Sequence, residues 1–130
     1  MEIQLRPIVL LVIGVIGILA LIAIEIMRGM VGDAAAEMLV PLIVMICVAS
    51  SPVLLLTLVD ARWAYWLSLI VAGLLSLFHA LHVAEHAIAN DFGLLALIVV
   101  TMLIPSVSAT ALLWRGRDAG APASSPQPVA

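Results

Sequence analysis

All three histidines of this sequence lie in one short stretch, Phe78-His79-Ala80-Leu81-His82-Val83-Ala84-Glu85-His86. At ~100° per residue on a helix, His79, His82 and His86 share an arc of about 60°, and Glu85 flanks that arc by about another 60°. Imidazoles on one helix face do two kinds of chemistry: they ligate transition metals, and they exchange protons near neutral pH. His82 and His86 stand at i, i+4, and His79 and His82 at i, i+3, so either pair can hold one ion. His79 and His86 are about 10 Å apart along the axis, too far to share an ion without distortion. His82 is therefore the pivotal ligand. A carboxylate from Glu85 or Glu25 would complete an N/O site for zinc or iron, whereas Met45, Cys47 and Met102 would favour copper at a deeper level. Metal binding would weaken as pH falls through roughly 6–7, where free imidazole takes up a proton.

The stretch also contains His82-Val83-Ala84-Glu85-His86, the H-x-x-E-H spacing of an inverted zinc-peptidase site. Such a site belongs to a large soluble enzyme and takes a further acidic ligand downstream. Here only Asp91 and Asp118 follow, and the match itself lies in an apolar run long enough to span a membrane, so peptidase chemistry is set aside. A tetrapyrrole is the other cofactor that histidines imply. Bis-histidine haem ligation needs imidazoles from facing helices, which one copy of this chain lacks. A homodimer, or a pigment held by a single histidine, meets that requirement. No phosphate loop, nucleophile–base pair or dinucleotide fingerprint accompanies the histidines, which argues against an independent enzyme.

Composition says what must position these groups. Of 130 residues, 65% are hydrophobic and 10% charged, against a usual ~45–50% and ~25%. Mean hydropathy is +1.32. A soluble domain of this size needs more polar surface than that, and a disordered chain is not so apolar. The expectation is an all-α integral membrane protein. The basic residues are Arg6, Arg28, Arg62, Arg115 and Arg117, within a net charge of −3. They form no patch for nucleic acid and no polybasic cluster for anionic lipid. Cys47 has no partner for an internal disulfide and reads as a small buried hydrophobe.

Four apolar runs, about 7–28, 38–59, 63–89 and 92–114, each have the ~20 residues needed to cross a ~30 Å hydrocarbon core. Backbone groups in lipid must be satisfied within the segment, so the runs are helices. Short connections make neighbours antiparallel, which predicts an up-down-up-down four-helix bundle over residues 1–115. Pro7 suits the first turn of helix 1. Gly32 and Asp33, then Asp60-Ala61-Arg62, then Asn90 and Asp91 mark the turns. Residues 116–130, rich in Ala, Pro, Ser and Gly, are expected to form a disordered tail. The Ile8–Ile24 run is longer than the ~7–15 residues of a signal-peptide core, and Ala34-Ala35-Ala36 lies too far beyond it, so helix 1 reads as a span. Pro52, Thr57 and Arg62 recur as Pro105, Thr110 and Arg115, a weak echo of a duplicated hairpin. Each proline frees a carbonyl one turn earlier, within reach of Ser50, Ser51, Thr101, Ser106 or Ser108, and favours a kink. Gly14 and Gly17, with Ala20, suit close helix approach.

Arg6, Arg62, Arg115 and Arg117 share one side of such a bundle, and Arg28, with Asp33, Glu37 and Asp91, occupies the other. The positive-inside rule then places both termini in the cytoplasm, in a plasma (inner) membrane, with Trp63, Trp66 and Trp114 at the inner interface. His86 and Glu85 fall about 5 Å below the outer end, level with Glu25, with His82 at about 10 Å and His79 at about 15 Å. Polar groups facing lipid are costly, so the stripe Ser68, Ala72, His79, His82 and His86 should point into the bundle, opposite Glu25. The expectation is a small multi-pass membrane protein whose His/Glu cluster near the outer face binds a metal (Zn, Cu or Fe) or a tetrapyrrole. The alternatives are a cofactor-free structural or accessory subunit and a small proton-coupled transporter. The partners expected are the lipid bilayer and either a second copy or a membrane-complex subunit.

Overall fold

The computed structural model describes residues 2–28 and 35–118, and these are 91% helical, with no strand. In chain order the elements are α1 (Glu2–Met27), α2 (Ala35–Leu58), α3 (Arg62–Ile88), α4 (Phe92–Ile98), a π-helical turn (Val99–Leu103) and α5 (Ile104–Gly116). The last three join into one rod, Phe92–Gly116, of 25 residues. With Leu5–Met27, Val40–Leu58 and Arg62–Ile88, at 23, 19 and 27 residues, it makes four helices long and apolar enough to cross a membrane. The residues expected in the tail beyond Asp118, the turn residues Gly32 and Asp33, and the side chain of Glu37 lie outside the described residues.

Pro7, Pro52 and Pro105 meet their helices differently. Helix α1 begins at Glu2, so Pro7 lies inside it rather than in its first turn. The forfeited bond is the one to the carbonyl of Ile3, close to the helix end, where the loss is small. Pro52 leaves the carbonyl of Val48 without its helical N–H, and the Ser51 hydroxyl donates to that carbonyl at 2.8 Å. Helix α2 therefore runs unbroken past Pro52. Before Pro105 the ladder instead widens to the π register, with Ile104 N–H donating to the Val99 carbonyl. A widened turn is a common way to absorb a proline in a helix. The two prolines aligned by the sequence echo are thus not structurally equivalent.

The π turn faces α1. A Cβ added at Gly17 would stand 2.5 Å from Thr101 Oγ1 and 2.8 Å from Thr101 Cβ, so only glycine admits this approach. Gly14, expected to do the same, does not: a Cβ there would meet nothing within 4 Å. Helix α3 packs against α5 through Tyr65, whose hydroxyl donates to the Leu113 carbonyl, and through Ser76 Oγ, 3.2 Å from Thr110 Oγ1. The buried apolar residues form two clusters. One gathers Leu11, Leu56, Tyr65, Leu69, Ala109 and Leu113, and the other Ile18, Leu21, Leu75, Leu94, Ile98 and Met102. Large apolar side chains also cover the outside, among them Ile16, Leu58, Leu77, Leu81 and Val100. Cys47 is exposed among them rather than buried, because α2 turns that face away from its neighbours.

Candidate functional site

The helical period of α3 carries Ser68, Ala72 and His79 onto its buried face, at 0%, 0% and 1% exposure. His82 and His86 continue the stripe toward the end of the helix, with side chains 28% and 17% exposed. The stripe enters the bundle as expected at Ser68, Ala72 and His79, and only half enters it at the last two histidines. Ser68 satisfies its own hydroxyl by donating to the Ala64 carbonyl at 2.7 Å. His79 has no such local acceptor, and its Nδ1 is buried without a hydrogen-bond partner.

Together with Phe78, the imidazoles make a row of ring contacts. The Phe78 ring meets His79 edge-on at 5.8 Å and lies nearly parallel to His82 at 6.0 Å. His82 and His86 meet edge to face at 4.8 Å. Each of these last two has a carboxylate. His82 Nδ1 is 3.2 Å from Glu85 Oε2, and His86 Nδ1 is 3.7 Å from Asp91 Oδ2. Arg28, at the end of α1, donates from Nη1 to the same Asp91 oxygen at 3.1 Å.

Asp91 reaches this position through the backbone. Asn90 takes the left-handed conformation, φ 56°, which asparagine tolerates better than most residues. Its N–H donates to the Ala87 carbonyl at 3.2 Å, and the Asp91 N–H donates to the His86 carbonyl at 3.0 Å. This paired closure ends α3 and satisfies two of its last carbonyls. It also folds Asp91 back over His86, while the Asp91 carbonyl accepts the first bond of α4 from Leu95 N–H at 3.0 Å. Asp91 and Arg28 do not figure among the sequence candidates. The signal for them was present: opposite charges on two turns at the same end of the bundle.

Several expected participants stand elsewhere. Glu25 is half-buried, and among the described residues it makes no ion pair or side-chain hydrogen bond; the contact from α1 comes from Arg28 instead. Met102 is in the core at 2% exposure. Met45 lines an apolar groove of about 450 Å³ between α2 and α3, with Pro41, Val48, Leu74 and Phe78. No three His, Cys, Asp or Glu side chains among the described residues come together as a group able to hold a metal ion. The ligand set expected from His79, His82, His86, Glu85 and Glu25 thus finds no support among the described residues. The reason is geometric: His79 turns into the core, His86 turns toward Asp91, and Glu85 stands exposed beside His82 alone. Each imidazole offers one nitrogen as donor and one as acceptor, so what the group can do chemically is take up and release protons.

No family model, curated protein or solved structure matches the chain.

Proposed function

We propose that this is an integral membrane protein whose third span carries a proton-exchanging imidazole row, from an outer carboxylate pair down to a histidine in the bundle core. The observation that carries the reading is the row itself: His86 and His82 in ring contact, each beside a carboxylate, above a His79 that is buried with an unpartnered Nδ1. Titratable side chains inside a membrane are costly, and proton relays are among the functional sites they mark. The charged groups facing the row are Glu85 on α3, Asp91 on the following turn and Arg28 at the end of α1. Their exposure lets the outer end exchange with water.

The bilayer setting is part of the proposal. It is supported by the four long apolar helices and by the apolar side chains that cover their outer faces, a surface that would drive aggregation in water. The residue pairs Tyr65 with Leu113, Ser76 with Thr110 and Arg28 with Asp91 support an up-down-up-down course. The positive-inside count supports cytoplasmic termini.

The test is proton flux in liposomes of the purified protein, driven by a pH step and read by a trapped pH-sensitive dye. The wild type should relax the step faster than empty liposomes, and His82→Gln should return the rate to that background. A wild-type rate equal to empty liposomes overturns the proposal. Elemental analysis of the same preparations is the companion measurement. A stoichiometric transition metal that is lost in His82→Ala would replace proton exchange with metal binding between copies of the chain.

A further inference from the structure

Proteins keep very few buried polar atoms unpaired, because an unmatched donor or acceptor forfeits its bond to water with no return. Nδ1 of His79 is such an atom, on a side chain that is 1% exposed. His79 is among the residues that line a cavity of about 10 Å³, with Leu11, Gly14, Ile18, Ala49 and Ser106. These residues come from α1, α2, α3 and α5, so all four long helical rods contribute. The cavity lies at the seam of the two apolar clusters, with Leu11 from one and Ile18 and Ala49 from the other.

Two further observations define the cavity chemically. Gly14 is buried, yet a Cβ built on it would find no heavy atom within 4 Å, so the open space lies directly against α1. Ser106 is 4% exposed. Its hydroxyl proton goes to the Leu103 carbonyl at 3.0 Å, which leaves the oxygen lone pairs as acceptors.

We propose that this cavity binds one water molecule, which bridges His79 Nδ1 and the Ser106 hydroxyl oxygen and so ties the third helical rod to the fourth at the bundle centre. The volume matches the ~10–15 Å³ that a single water requires, and the lining supplies the minimum of two polar partners. A wholly apolar cavity of that size would stay dry. No carboxylate lines it, so a cation has nothing to neutralise it there. The water donates one hydrogen to Ser106 Oγ. With Nδ1 it donates or accepts according to the tautomer of His79. The site rests on burial and hydrogen-bonding capacity alone and stands whether or not the imidazole row carries protons.

The test uses the full-length protein in lipid bilayers, with ¹⁵N-labelled histidine, and solid-state NMR transfer of magnetisation from water to the imidazole rings. In the wild type the His79 ring should receive magnetisation from a bound water. Gly14→Ala places a methyl group in the cavity and should abolish that transfer, with transfer to the half-exposed His82 and His86 unchanged. Those two rings also report whether the variant is folded. Ser106→Ala keeps the space but removes one partner and should weaken the His79 signal. A His79 ring with no water contact in the wild type overturns the proposal. So does a contact that survives Gly14→Ala in a folded protein, or one undiminished by Ser106→Ala.

Discussion

At the Arg62 end of α3, Tyr65 donates to Leu113, Ser68 donates to Ala64, and further along Ser76 meets Thr110. Every one of these hydroxyls has a partner in the protein. At the His86 end of the same helix, His82 and His86 share their carboxylates with solvent, and His79 keeps a nitrogen that the chain leaves unmatched. Helix α1 repeats the contrast within one turn, with Gly17 jammed against Thr101 and Gly14 facing open space. The lesson is that polar groups in an apolar bundle serve two purposes. Fully matched, they hold helices in one arrangement; those with capacity to spare are the groups on which the proposed proton exchange and the proposed water site rest.

The sharpest way to break that comparison is at the glycines. Gly17→Val should push α1 off the π turn and destabilise the fold by about 1–3 kcal/mol, as overpacking does. Gly14→Ala should produce no such loss. Reversible unfolding in mixed micelles compares the two, and equal costs would erase the distinction between jammed and open contacts. Next in size is Tyr65→Phe, which strands the Leu113 carbonyl. It should cost about 1 kcal/mol by the same measurement, and a neutral result would show that the hydroxyl holds nothing together.

Arg28→Gln removes an exposed ion pair with Asp91, and such pairs contribute roughly 0.2–1 kcal/mol. Its loss should shrink as salt is raised, because exposed charges are screened. A cost unchanged in high salt would mean that the pair is not solvent-exposed. The smallest effect is expected at His79→Leu. His79 has no direct partner in the chain, and the water-mediated bond proposed for it is offset in part by the entropy of holding the water, so this variant should unfold near the wild type although the site is more buried than Tyr65. A loss as large as that of Tyr65→Phe would show that His79 holds the bundle as firmly as a direct hydrogen bond does.

Much of the scaffold was legible because its causes are local. Apolar runs long enough to cross a bilayer must be helical if they are in lipid, and a helical period converts the spacing of Ser68, Ala72 and His79 directly into a buried face. The pairing of Ser51 with the carbonyl freed by Pro52 was within reach for the same reason: donor and acceptor are three residues apart. The widened register before Pro105 was not, since a kink and a π turn both answer a missing N–H, and the position of α1 at Gly17 bears on the outcome. Glu25 was expected to face the histidines on depth alone. Depth does not give rotation, and the left-handed turn at Asn90 brought Asp91 to His86 instead.

The amino-acid sequence by itself determined that the chain is helical, where its four long apolar helices lie, and which face of α3 is polar, because each of these depends on residues within a few turns of one another. Only the tertiary structure decided that Arg28 rather than Glu25 reaches the histidine end of α3, that no three metal-binding side chains converge among the described residues, and that His79 and Ser106 line one cavity. Those facts depend on separations of a few ångströms between segments far apart in the chain. They are set by how the two apolar clusters pack and by the seam left between them.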